Sequence, residues 1–272
     1  DLQLRVQDTA SNVPRGLGFD LVQDGRRWFA DPSGDATQRF YVGRETSNAP
    51  YIGLFQRVGE YYGPTYAAAD YVDDYDHWAQ LLELTGHCES KNHFNLINTY
   101  DSAKFTFGFY QLAAHTADDN LILLFRRLLQ MSEAHDYFPE LLLHNGHVHR
   151  RDENGSLTDL EVETATGPNG RRQLQRFMDF LNAERLAHDR QEVLQSSRVM
   201  HWSNMHASQR ELQSPFPMIF CSAKWRRDMP AGTTLMASWT LSAPLSATSI
   251  TRGARQRNAC ARHWRLETLW KR

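Results

Sequence analysis

The spacing of apolar residues changes near residue 65, and this change constrains the fold more than any other feature of the sequence. From Tyr66 onwards, apolar side chains recur at the spacing that places them on one side of an α-helix. Before that point, turn-forming residues interrupt the chain repeatedly, at Pro32, Gly34, Pro50, Gly63 and Pro64. The sequence therefore predicts a strand and turn segment over residues 1–64, which packs on or leads into a mainly helical domain over residues 65–212.

Two short segments predict β-structure. In "FDLVQDGRRWF" (residues 19–29), Asp24-Gly25 lies between two runs that contain apolar residues, and Asp-Gly pairs favour the tight turns between antiparallel strands. The segment "HNGHVHRRDENGSLTDLEV" (residues 144–162) contains two Asn-Gly pairs. It predicts a small β-region within the helical domain.

The first predicted helix carries an apolar stripe that leads towards a glutamate. The stripe consists of Tyr71, Tyr75, Trp78 and Leu82. Gly86 marks the expected end of this helix. If the helix continues for one more turn, Glu89 lies on the same inward face as Leu82.

Two further helices are predicted after it. One begins at Thr116 and is too apolar for a surface helix, so it is expected to be central. Its apolar residues are Leu121, Ile122, Leu124, Phe125, Leu128 and Leu129. The other covers about residues 171–194 and has Leu174, Phe177, Met178 and Leu181 at core spacing.

The composition excludes several classes of protein. A chain of 272 residues with 41% hydrophobic and 23% charged residues is typical of a globular protein with one core. It contains no run of about 18 apolar residues, so no membrane span is expected. The cysteines Cys88, Cys221 and Cys260 show neither a disulfide framework nor a metal-binding spacing. No cofactor, metal ion or nucleic acid is expected.

Residues 213–272 differ from the rest of the chain in charge. They contain ten basic residues against two acidic ones, whereas residues 1–212 contain 20 basic and 30 acidic residues. Apolar residues in this tail follow neither helical spacing nor strand alternation. Two interpretations stay open: a basic arm that binds an anionic polymer, and an off-frame translation of the gene, which leaves the authenticity of the tail in doubt.

The segment "ESKNHFNLINTYDSAKFTFGFYQLAAHT", residues 89–116, contains the candidate catalytic residues. It is rich in Asn, Thr, Tyr and Phe, which suit a sugar, and its only acids are Glu89 and Asp101. Cleavage of a glycosidic bond needs a carboxyl group that protonates the leaving oxygen, and a second carboxylate commonly activates water. Glu89 suits the first role. On spacing alone, a solvent-exposed glutamate at a helix end is an equally good interpretation.

The same residues resemble motifs of the lysozyme-like superfamily. Glu89-Ser90, followed by "GFYQ" (residues 108–111) and Thr116, is similar to the pattern of goose-type lysozymes and lytic transglycosylases. The resemblance implies that Glu89 is the general acid. The residues expected to contact the sugar are Ser90, Tyr110 and Gln111.

A second motif is similar to the phage-type lysozyme arrangement. Tyr100-Asp101 precedes "TFG" (residues 106–108), which implies that Asp101 and Thr106 place the attacking water. Two departures stand against these resemblances. "FTF" (residues 105–107) replaces the usual Gly-Ala before the glycine, and "ATGPNG" (residues 165–170) lacks the tyrosine of the later Ala-Tyr-Asn motif.

The resemblance implies a fold and a function. The expected fold is α+β but mainly α, lysozyme-like, with a small β-excursion. The expected activity is hydrolysis of the β-1,4 bond between N-acetylmuramic acid and N-acetylglucosamine in peptidoglycan. The beginning of the chain shows no signal peptide. A wall-degrading module of a type VI secretion effector or a phage endolysin is therefore expected, acting in the periplasm of a target cell.

Other functions and partners stay open. The alternatives are a lytic transglycosylase that forms 1,6-anhydro products, a non-catalytic wall-binding module, and a structural baseplate or spike component. Peptidoglycan strands are the expected partner, and an effector would add a cognate immunity protein.

Three histidines give the best candidate for a metal site. Alternation along a strand places only His147 and His149 on one face. No carboxylate or cysteine stands at a recognised ligand spacing from them. They are interpreted as surface histidines of a hairpin.

Overall fold

The computed structural model describes residues 16–48, 50–116, 121–167, 170–183 and 190–214. Within these ranges the chain forms a seven-stranded antiparallel sheet, two smaller sheets and seven α-helices. The strands of the large sheet lie side by side in chain order. They are β1 (Phe19–Asp24), β2 (Arg27–Pro32), β3 (Phe40–Asn48), β4 (Tyr51–Phe55), β5 (Ile97–Asn98), β6 (Thr106–Phe107) and β7 (Leu112–Ala113). The predicted tail lies outside the described residues, except for Gln213 and Ser214.

The prediction of a mainly α fold is wrong. Of the described residues, 35% are helical and 27% lie in strands, and most of the strand residues belong to the large sheet. The N-terminal strands join the later ones where Phe55 of β4 pairs with Asn98 of β5. The error has a local cause: β5, β6 and β7 have two residues each, too few to show the alternation that identifies a strand in a sequence.

The hairpin predicted at Asp24-Gly25 is confirmed. Asp24 pairs with Arg27, so Gly25 and Arg26 form the two-residue turn between β1 and β2. Gly25 has φ +57°, a left-handed conformation that glycine adopts without steric penalty. On β2, Trp28 and Ala30 point into the core.

Seven α-helices occur in the described ranges: two lie between β4 and β5 in the chain, and five follow β7. They are α1 (Val72–Tyr75), α2 (Trp78–Ser90), α3 (Leu121–Leu128), α4 (Ala134–Tyr137), α5 (Gln175–Leu181), α6 (Arg190–Met205) and α7 (Ala207–Gln213). Short 3₁₀ helices cover Ala36–Gln38 and Ala68–Asp70. None of the helices in this part of the chain combines the length and the apolar character needed to cross a bilayer.

The first predicted helix is divided, and it ends later than expected. Asp76, with φ +51° and ψ −136°, separates α1 from α2. Gly86 does not end α2, which continues to Ser90. A Cβ atom at Gly86 would lie 2.0 Å from the ring of Phe109, so glycine stands here because an aromatic ring occupies the space of a side chain.

The other predicted helices are partly confirmed. Five residues of α3 are fully buried, as expected for a central helix, and Phe125 packs edge-on against Phe138 and Phe177. The expected start of this helix includes residues 117–120, which lie outside the described ranges. The region from 171 to 194 is not one helix, because it contains a strand, α5 and the beginning of α6.

The β-region predicted between the helices is confirmed as a three-stranded antiparallel sheet. Asn145 and Gly146 form the first turn with φ +51° and +81°, the conformation that favours Asn-Gly. Its strands are β8 (Leu141–His144), β9 (His147–Arg151) and β10 (Leu157–Asp159). A separate pair consists of β11 (Ala165–Thr166) and β12 (Arg172–Gln173).

Candidate functional site

Glu89 lies in the last turn of α2, next to the final residue of that helix. Its side chain is partly buried. Lys91 ends the helix in a left-handed conformation with φ +55°, and its N–H group bonds to the carbonyl of Gly86. The helix therefore presents Glu89 at its carboxyl end, immediately before the polar segment that leads to β5.

Ser90 is turned into the protein. Its side chain is fully buried, and its hydroxyl donates to the carbonyl oxygen of Gly86 at 3.2 Å. The carbonyl of Ser90 accepts from the N–H of His93 at 3.2 Å. These bonds stabilise the end of α2, so contact of Ser90 with a sugar stays a prediction.

Asp101 lies in the loop between β5 and β6. One carboxylate oxygen accepts the N–H of Ala103 at 2.8 Å, and the carbonyl of Asp101 accepts the N–H of Lys104 at 3.1 Å. Removal from water raises the pKa of the Asp101 carboxyl, and the bond from Ala103 opposes this effect. The loop therefore holds a carboxyl group whose proton affinity exceeds that of an ordinary aspartate.

The far side of this loop is held by α5 and the residues that follow it. Lys104 is buried, and its ammonium group pairs with Asp179 and donates to the carbonyl of Ala183 at 3.0 Å. The amide of Asn182 donates to the carbonyl of Lys104 at 3.0 Å. Contacts about eighty residues away in the chain thus fix the loop that carries Asp101.

Thr106 begins β6, directly after the Asp101 loop. It pairs with Asn98 on one side and with Ala113 on the other, and only 6% of it is exposed. The strand position ties Thr106 to the loop of Asp101. Its expected role with a water molecule stays a prediction.

Tyr110 and Gln111 lie in the turn between β6 and β7. The amide of Gln111 donates to the carbonyls of Leu96 at 3.1 Å and Gly108 at 2.9 Å. The hydroxyl of Tyr110 donates to the carbonyl of Ser214 at 3.3 Å. Both side chains are buried in this conformation, so their expected contact with sugar also stays a prediction.

The β5–β6 hairpin separates the predicted residues into two groups. Because the two strands are antiparallel, the Asp101 loop lies at one end of the hairpin. The end of α2 leads into the other end, where the turn of Tyr110 and Gln111 lies. The structure therefore groups Thr106 with Asp101. Glu89 and Ser90 lie at the end of α2, towards the opposite end of the hairpin, where Tyr110 and Gln111 are buried.

A row of stacked aromatic rings extends from α2 to a surface groove. Tyr66 lies against Phe109 with ring centres 5.0 Å apart, and Tyr71 lies against Tyr66 at 4.5 Å. Tyr75 follows at 5.9 Å, nearly parallel to Tyr71. The groove has a volume of about 550 Å³ and is lined by Asp70, Tyr71, Asp74, Tyr75 and Glu211.

The sequence pattern did not predict this groove. It placed Tyr71 and Tyr75 in a core-facing stripe, and both rings pack against the core while staying partly exposed. A usable signal was present, because two tyrosines and two aspartates each recur four residues apart, at 71 and 75 and at 70 and 74. Glu211 comes from α7, and only the tertiary structure brings it to the groove.

The histidines of the β8–β9 hairpin do not gather into a ligand set. His147 bonds to Asp159 of β10 at 3.0 Å, and His144 packs edge-on against His149. No group of three or more metal-binding side chains occurs in the ranges that the structure describes.

Comparison with known proteins adds no relative. No protein-family model matches the chain, and no curated protein or solved structure matches it significantly. Any function proposed for the site is therefore inferred from its own residues and geometry.

Proposed function

We propose that this protein is a glycosidase that hydrolyses the β-1,4 bond between N-acetylmuramic acid and N-acetylglucosamine in peptidoglycan. The observation that carries the proposal is the carboxyl group of Asp101, which is largely removed from water in a loop held at Lys104 by residues of α5 and its continuation. Most glycosidases use two carboxyl groups in different environments. The second candidate, Glu89, lies at the end of α2, which leads into the other end of the same hairpin.

The two carboxyl groups receive different roles. Glu89 protonates the leaving oxygen, since it lies partly buried in the last turn of α2, immediately before the polar segment. Asp101 takes a proton from the attacking water, and Thr106, which begins the strand after the Asp101 loop, helps to place that water. A raised pKa supports this role, because a general base is most effective when its pKa lies near the working pH.

The aromatic groove supports a glycan as the substrate class. Tyrosine rings such as Tyr71 and Tyr75 can pack against the apolar face of a sugar ring. Carboxylates such as Asp70 and Asp74 accept hydrogen bonds from sugar hydroxyls. The proposed site of action is the wall of a target bacterium, reached as a secreted effector or a phage endolysin.

The decisive experiment replaces Glu89 by glutamine. Glu89→Gln keeps the shape of the side chain but cannot donate the proton, so the rate of wall clearing should fall by about 10²–10⁴-fold. The measurement is loss of turbidity of purified peptidoglycan. The matched control is Glu83→Gln on the same helix, since its amide oxygen can still accept the N–H of Ala68, and it should keep its activity. A folded Glu89→Gln protein that clears wall at the normal rate contradicts the proposal.

Product analysis separates the alternatives. Hydrolysis gives reducing sugar ends and requires Asp101, so Asp101→Asn should lose most activity. If mass spectrometry finds 1,6-anhydro ends and Asp101→Asn stays active, the protein is a lytic transglycosylase. If the wild-type protein binds sedimented wall but releases no fragments, it is a binding module.

A further inference from the structure

Glu192 is the most deeply buried acid in the part of the chain that the structure describes. It lies in the first turn of α6, and its side chain is fully inaccessible to solvent. Burial of a carboxyl group is unfavourable unless hydrogen bonds compensate for the lost water. The carboxyl group of Glu192 therefore needs hydrogen-bond donors within the protein.

Glu192 bonds to two neighbouring segments of the large sheet. One of its carboxylate oxygens accepts the N–H of Leu54 at 2.9 Å and also the hydroxyl of Thr99. Thr99 is itself bonded to Leu54 through its own backbone N–H, at 3.0 Å. The carboxyl group thus links α6 to β4 and to the residue that follows β5.

The close approach of these segments depends on a glycine. A Cβ atom at Gly53 would lie 2.6 Å from the backbone and the hydroxyl of Thr99. Any larger residue at that position would push Thr99 away from β4 and from Glu192. The cluster is therefore closely packed, and its geometry is narrowly defined.

Thr99 begins the loop that carries Asp101, two residues further on. The other end of this loop is held at Lys104 by Asp179 and Asn182. The carboxyl group of Asp101 lies between these two anchors. A shift at either anchor would move that carboxyl group.

We propose that Glu192 is a positioning residue, which acts through the hydroxyl of Thr99 to hold Asp101 in its working orientation. The inference deepens the proposed function and rests on it. Reaction rates are sensitive to small displacements of catalytic groups, so a loop anchored from a buried helix favours a constant geometry. Glu192 itself does not touch the substrate.

The test removes the hydroxyl and keeps the volume of the side chain. Thr99→Val breaks the link to Glu192, and kcat for wall cleavage should fall about tenfold while KM stays nearly unchanged. Thr99→Ser restores the hydroxyl and should recover most of the activity. Glu192→Leu should reproduce the loss seen with Thr99→Val. If the valine variant does not fold, Thr99→Ala removes the same hydroxyl with less strain.

A double-mutant cycle distinguishes positioning from general stabilisation. Thr99→Val acts through Asp101, so it should have almost no further effect on the residual activity of Asp101→Asn. If it lowers that residual activity by the same tenfold factor, the two residues act independently and the proposal is overturned.

A second readout does not need catalysis. The pKa of Asp101, followed by carbon NMR of its carboxyl group, should move towards its ordinary value in Thr99→Val, because the loop becomes more open to water. Thr99→Ser should leave this pKa unchanged. If the wild-type protein cleaves no wall but these pKa changes occur, the proposed function fails while the positioning contact stands. If Thr99→Val leaves the pKa of Asp101 unchanged, the positioning role is refuted.

Discussion

The two ends of the β5–β6 hairpin differ in the environment of their polar groups. At the end near α2, the side chains of Ser90 and Gln111 and that of Gln213 from α7 bond to backbone groups, and aromatic rings fill the space between. At the other end, side chains from distant helices hold the loop of Asp101, and its carboxyl group has lost much of its contact with water.

Because of this difference, we expect one end of the hairpin to contribute mainly to the stability of the fold and the other mainly to the proposed activity. The end near α2 satisfies its polar groups internally, which favours the folded state. The Asp101 end keeps a carboxyl group in an unfavourable environment, which is typical of catalytic sites because it shifts a pKa towards the working pH. Substitutions at the first end should therefore affect folding most, and substitutions at the second should affect activity and pH dependence.

The largest effect on stability is expected at Gly86. Gly86→Ala forces a methyl group into the ring of Phe109, with its Cβ atom 2.0 Å from the ring, and should lower the free energy of unfolding by about 3 kcal/mol. Urea denaturation measures this change. Gly18→Ala is the control, because no atom lies within 4 Å of the added Cβ atom there. Equal stability of the two variants would show that the end near α2 is not closely packed.

A smaller effect is expected at Gln213 on α7. Its amide oxygen accepts the N–H of Phe109 at 2.8 Å, and its amide nitrogen donates to the carbonyl of Phe94 at 3.2 Å. Gln213→Ala leaves both buried backbone groups unpaired and should cost about 2 kcal/mol in unfolding free energy. Gln80→Ala, at an exposed position of α2, should change stability by less than about 0.5 kcal/mol. A cost at Gln213 as small as this would mean that α7 adds little to the packing.

The smallest effect concerns pH and is expected at the other end of the hairpin. Because the folded state raises the pKa of Asp101, the folded protein binds a proton more tightly than the unfolded chain does. Stability from this group is complete below the ordinary pKa and is lost as pH rises through the folded pKa. Asp101→Asn has no such loss, so its stability relative to the wild-type protein should increase between about pH 3 and about pH 7.

Chemical denaturation at the two pH values measures this difference. Ser102→Ala, in the same loop, removes no titratable group and should change stability equally at both pH values. If Asp101→Asn also shows a constant difference, Asp101 is not desolvated in solution. The contrast between the two ends of the hairpin would then disappear.

Sequence patterns predicted those elements whose signals are local. The turns at Gly25 and Gly146 follow from residues that readily adopt positive φ, and each lies where it was expected. The apolar face of α3 predicted a central helix, and its residues are buried. The helix end predicted at Gly86 was wrong. Glycine commonly ends helices, but here it makes room for the ring of Phe109 from another segment.

Local sequence patterns predicted only part of the candidate site. The sequence singled out Glu89 and Asp101 as the acids of a polar segment, and their catalytic roles stay predictions. It could not indicate that Asp101 is desolvated, because the anchors of its loop come from residues 179–192. Nothing in the local pattern distinguishes Glu192 from a surface glutamate of a helix.

By itself, the sequence determined the hairpin turns and the central helix, because torsion preferences and apolar periodicity act between neighbouring residues. It also indicated Glu89 and Asp101 as the two candidate acids. Only the tertiary structure decided that the N-terminal strands and the strands after α2 form one sheet, through the pairing of Phe55 with Asn98. It also decided that Glu192 meets Thr99, 93 residues away. Such contacts depend on how the elements pack against one another, and a two-residue strand or a single buried glutamate shows no local pattern that specifies its partner.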